Sequence, residues 1–166
     1  GSQGTVFSRN LLDRKYSSWA HALHIDRATN VKVLNNTIYG GNNGGIRIYN
    51  MSSATLLNNI ILSNRDGTGN DYAILNESDY PVYAAYNCIY GWGAAPTNRV
   101  GTGLQWGPGN IFSDPMLDTV SSFTIQSPLS PVIDMGLIVP LYADVFNGFG
   151  PDMGWKESTL VFTNRG

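Results

Sequence analysis

"VKVLNNTIYGGNNGGIRIYN", residues 31–50, runs strand, paired asparagines, strand, glycine-rich corner, strand. Asn35-Asn36 ends one short apolar run and opens the next, and "ATLLNNIILSN" does the same at Asn58-Asn59. Aligning on the second asparagine brings "SRNLLD", "LNNTIYG", "LNNIILS" and "AYNCIYG" into equivalent places, with Asn10, Asn36, Asn59 and Asn87 at intervals of 26, 23 and 28. A period in the twenties that tolerates insertions is the mark of stacked coils, in which extra residues become loops on one side. A second block follows each asparagine block: "HALHID", "GGIRIYN" and "DYAILNE". Its apolar residues alternate, which places Leu23 and Ile25, Ile46 and Ile48, and Ala73 and Leu75 on an inner face. No stretch of ten residues has helical spacing, so the repeat is one of strands.

Asn accepts the left-handed corner conformation, and its amide bonds locally to backbone. Side-chain amides stacked one strand spacing apart, about 4.8 Å, also bond one another. The expectation is that one Asn of each pair turns the corner and joins a ladder, while its neighbour lies on the preceding strand.

The chain has 166 residues, room for one domain with a core. Gly1-Ser2 reads as a cloning remnant. Charged residues are 13% of the chain, well below the roughly 25% of an average domain, so neutral polar groups cover the surface. Ten Lys+Arg stand against twelve Asp+Glu without a basic cluster, which argues against nucleic acid and anionic membrane as partners. No apolar run approaches the ~20 residues of a membrane-spanning helix. The lone cysteine, Cys88, lies in "YNCIY" and reads as a packed thiol.

These repeats resemble the right-handed parallel β-helix proteins of the pectate-lyase-like superfamily, whose coils carry an Asn-x-Ile core beside a tight turn. The matching residues are Asn36-Thr37-Ile38, Asn59-Ile60-Ile61 and Asn87-Cys88-Ile89. The tail is similar to the closing segment of secreted members, through Asn110, Asp114, Pro115, Ser130, Pro131, Ile133, Asp134 and Gly136. Asp144, Gly148, Asp152, Gly154 and Glu157 continue the likeness, with Trp155-Lys156 where the family has Ala-Tyr. The resemblance implies an all-β, single-stranded solenoid. Residues 3–126 would form about four coils, and residues 127–166 a capping segment of the same domain that covers the open bore. The start enters a coil at "TVFSRNLL" with no closing helix, so the chain is expected to be the C-terminal part of a longer protein, or to self-associate through its open N-terminal edge. An extracellular or cell-surface location goes with the family.

On such a fold, ligands lie along outward columns. The alternation puts His24, Arg47 and Ile74 in one column and Asp26, Tyr49 and Asn76 in the next. His24, Asp26, Arg47 and Tyr49 form the most polar outward cluster, suited to polysaccharide: Arg and Asp hold hydroxyls or a uronate, and the ring stacks on a pyranose. The same letters also suit a solvated strand face. A polysaccharide lyase would use Arg47 with His24 or His21. A glycosidase needs two carboxyl groups about 5 to 9.5 Å apart, and no aligned column carries Asp or Glu on neighbouring coils. A structural module of an adhesin or fibre is the third reading.

No cofactor is expected. Asp66, Asn70 and Asp71 in "SNRDGTGNDY" offer oxygen ligands for calcium, though a glycine-rich turn explains them as well. Zinc is disfavoured by one Cys and two His. Asp134 and Asp152 are expected to bond turn amides. Trp19, Trp92, Trp106, Tyr16 and Tyr80 fall in loops, and Tyr39 and Tyr90 occupy equivalent outward positions, all open to glycan stacking or plain packing. Asn35, Asn50 and Asn76 begin N-x-[ST] sequons that the repeat alone can generate.

Overall fold

The computed structural model describes residues 4–14, 21–40, 44–63, 72–92 and 103–160. Strands β1 (Val6–Ser8), β4 (Val31–Leu34), β7 (Ala54–Leu57), β10 (Val82–Ala85) and β12 (Leu104–Trp106) form the first sheet in that order. Strands β2 (Leu11–Arg14), β5 (Thr37–Gly40), β8 (Ile60–Leu62) and β11 (Cys88–Tyr90) form the second, and β3 (Leu23–Asp26), β6 (Gly44–Tyr49) and β9 (Tyr72–Glu77) the third. Every strand pairing is parallel, and each sheet takes every third strand as far as β11, with β12 then following β10 in the first sheet. The described residues contain no helix. Three parallel sheets built from successive layers are compatible with a parallel β-helix.

The connection from first to second sheet is two residues long in four layers: Arg9-Asn10, Asn35-Asn36, Asn58-Asn59 and Tyr86-Asn87. Its first residue lies in the left-handed region each time, with φ of 54°, 51°, 58° and 54°. Gly109, at φ 74°, precedes Asn110 in the same way. The division of labour therefore corrects the sequence expectation. The first residue of each pair turns the corner, and the second makes the ladder. That is why Arg or Tyr serves at the first position while the second is always Asn.

Among the described residues the ladder has five members. Asn10 Nδ2 donates to Asn36 Oδ1 (3.1 Å), Asn36 Nδ2 to Asn59 Oδ1 (3.0 Å), Asn59 Nδ2 to Asn87 Oδ1 (2.9 Å) and Asn87 Nδ2 to Asn110 Oδ1 (3.2 Å). Each receiving oxygen also accepts the backbone N–H of the Asn before it, at 2.9 to 3.0 Å. Remaining amide hydrogens reach backbone carbonyls such as Val33 and Leu56. Asn36, Asn59 and Asn87 are fully buried, so a residue without this donor and acceptor set would leave orphaned groups costing about 1–3 kcal/mol each. The opposite corner carries a smaller hydroxyl column: Ala28 N donates to Ser52 Oγ, and Ser52 N to Ser78 Oγ.

One apolar core fills the space between the sheets. Val33, Leu56 and Ala84 enter from the first, Ile38, Ile61 and Ile89 from the second, and Ile46, Ile48 and Ile74 from the third. A second cluster lies outside the second sheet, where Ile60, Leu62 and Cys88 meet Val132 and Met153 of the tail. Strand β8 is thus covered on both faces, the physical reason its sequence, Ile60-Ile61-Leu62, is continuously apolar. Cys88 is buried, and burial with nearby Asp114 pushes its thiol up to about 12, the inert packed thiol of the sequence reading.

The tail runs along the side of the layers. Cys88 Sγ contacts Ser113 O, Asn58 exchanges two hydrogen bonds with Leu137, and Gly154 N donates to Asn58 O. Trp155 N donates to Thr37 Oγ1, and Arg9 Nε to Tyr142 O. These contacts touch four layers laterally, a bracing role that the expectation of an end cover did not contain.

Candidate functional site

The outer face of the third sheet collects the candidate residues. His24 pairs in register with Arg47, and Asp26 with Tyr49. The rings of His24 and Tyr49 are 6.1 Å apart, His21 lies 6.5 Å from His24, and the Arg47 guanidinium sits 4.3 Å from the Tyr49 ring centroid. His24 and Asp26 are exposed, while Arg47 and Tyr49 are half-buried. The four predicted residues do form one patch. Arg47 covers a face of Tyr49, so part of the ring expected to stack on sugar is already occupied.

At β9 the register differs from the expected alignment by one residue. Ile46 pairs with Ile74, Arg47 with Leu75, Ile48 with Asn76 and Tyr49 with Glu77. Ile74 and Asn76 point inward and are buried, whereas Leu75 and Glu77 take the outward places assigned to Ile74 and Asn76. This brings in a residue the sequence reading missed. Arg47 Nε donates to Glu77 Oε2 at 2.6 Å. Asn50, at the strand end, donates through Nδ2 to Asp26 Oδ1 at 2.8 Å.

The corrected column reads Asp26, Tyr49, Glu77. Its two carboxylates stand two layers apart, about 9.6 Å at the backbone, with the Tyr49 strand between them. Among the described strand residues, adjacent layers still lack a carboxylate pair. No group of three His, Cys, Asp or Glu side chains among the described residues is placed to hold a metal ion. The calcium candidates Asp66, Asn70 and Asp71 lie outside the described residues, as do Trp19 and Tyr16.

The other aromatics divide. Trp92 is a core residue whose Nε1 donates to Ile61 O, and Tyr39 packs against Phe123 with centroids 5.1 Å apart. Trp106, Tyr80 and Tyr90 are exposed, Trp106 meeting Phe112 edge-on at 6.3 Å. Two of the sequon asparagines, Asn35 and Asn76, are buried, which removes them as glycan acceptors in the folded chain.

In the tail, Asp134 Oδ1 accepts the N–H groups of Phe149 and Gly150, while Asp152 accepts those of Asp134 and Ser158. Both bond turn amides, as expected. Asp152 N donates to Glu157 Oε1. Burial, and then the Asp152 charge, raise the Glu157 carboxyl to about 7; the Asp152 and Asn147 amides and Arg9 pull the other way. Burial also raises Asp152.

No protein-family model matches the chain, and neither a curated protein nor a solved structure does.

Proposed function

We propose that the chain winds as a right-handed parallel β-helix of the pectate-lyase-like type and binds polysaccharide on the outer face of its third sheet. The observation that carries this reading is the convergence of His24, Asp26, Arg47, Tyr49 and Glu77 on the outer face of one sheet, each on a paired strand. Their hydrogen-bonding inventory suits sugar hydroxyls. Arg47 supplies donors, Asp26 and Glu77 keep acceptor oxygens, and the accessible part of Tyr49 supplies apolar surface. An extracellular or cell-surface setting goes with this reading, as does the low-charge surface.

A lyase needs a cation to stabilise the anion that forms beside the departing proton. Arg47 is engaged by Glu77, which favours binding over elimination. Calorimetric titration with plant, algal and bacterial polysaccharides tests the proposal. Binding is expected, and Tyr49→Ala should weaken it about tenfold or more. Absence of heat across the whole panel would reject it.

A further inference from the structure

We infer that this face selects neutral glycans and turns away uronate polymers, with Glu77 the residue that sets the choice. The inference rests on the polysaccharide-binding reading and adds the substrate class. A uronate-binding face presents an unpaired cation to the sugar carboxylate, most effectively an Arg fork. Among the described residues, Arg47 is the one Lys or Arg on the outward strand positions of the third sheet, and Glu77 holds its Nε at 2.6 Å. The Tyr49 ring holds the guanidinium from a second side.

Asp26 adds another carboxylate in the same column, with the Asn50 amide as its partner. The described outward positions therefore carry two carboxylates for one guanidinium. An incoming carboxylate has to displace Glu77 from Arg47 and then lie beside two like charges. A neutral sugar faces no such barrier. Its hydroxyls donate to the remaining oxygens of Asp26 and Glu77 and accept from the terminal nitrogens of Arg47, leaving the ion pair intact.

Glu77 is exposed at the end of β9, so Glu77→Gln removes the charge with little demand on the fold. The experiment titrates the wild type and Glu77→Gln with cello-, xylo- and manno-oligosaccharides and with oligogalacturonate of matched length, at low and high salt. The wild type should bind at least one neutral ligand more tightly than the uronate. The variant should shift the uronate-to-neutral affinity ratio by about tenfold or more toward uronate, a shift that salt diminishes. Asp26→Asn, which leaves the Arg47–Glu77 pair in place, should shift the ratio less. Equal or tighter uronate binding by the wild type, or an unchanged ratio in Glu77→Gln, overturns the selectivity and leaves polysaccharide binding standing. Failure of every ligand to bind the wild type overturns both. Unchanged circular dichroism and thermal midpoint in Glu77→Gln establish that the comparison is made on folded protein.

Discussion

The second and third sheets belong to the same layers, yet their outer faces have opposite fates. The tail covers the second, burying Ile60, Leu62 and Cys88 beneath Val132 and Met153. On the third, among the described residues, the outward positions hold His24, Asp26 and Glu77, which are exposed, and Arg47 and Tyr49, which are half-buried. The contrast shows that strand pairing alone does not fix the composition of a strand. What lies outside the sheet decides whether residues alternate or run continuously apolar. It also separates the two kinds of energy in the molecule: area removed from water on one side, and partly hydrated charge on the other.

Cutting into the covered face should do the most damage. Met153→Ala deletes a fully buried side chain at the junction of tail and sheet and is expected to cost about 3 kcal/mol, read as a lowered midpoint in urea. A smaller effect should come from pH on the same side of the molecule. Glu157 holds its proton more tightly when folded, up to about 7 against an ordinary 4.5. Between those values the folded state keeps a proton that the unfolded chain releases, so stability should fall as pH rises through that window. Glu157→Gln should flatten this dependence in thermal melts recorded across it. On the third sheet, Arg47→Ala removes an ion pair whose partners are 28% and 40% exposed, and it should change stability by less than about 1 kcal/mol. A loss as large as that of Met153→Ala would erase the distinction between the two faces.

Sequence periodicity located the ladder because Asn recurs wherever the amide stack requires it, at Asn10, Asn36, Asn59 and Asn87. The fifth member, Asn110, was noticed only as part of the tail, since four residues separate Trp106 from Ile111 there in place of two. The site was legible at β3 and β6, where polar and apolar residues alternate cleanly. It failed at β9, where Tyr72-Ala73-Ile74-Leu75-Asn76-Glu77 puts Leu outward and Asn inward. A period of two has just two phases, and one polar residue inside is enough to select the wrong one. Asn76 is inside because its Oδ1 accepts the Ser78 N–H where the chain leaves the strand. That slip hid Glu77, and with it the partner of Arg47. The covering of the second sheet was also illegible, because Val132 and Met153 are joined to it by long-range packing and not by any repeat.

The lateral tail has a mechanical consequence. Units that touch only their neighbours come apart from an end, one after another, like a zip. Here the tail fastens to Arg9, Thr37, Asn58 and Cys88 in turn. Parting the first layer from the second therefore also means breaking the tail's hold on Arg9 while it stays fastened to Thr37, Asn58 and Cys88, which ties the layers' opening to one another.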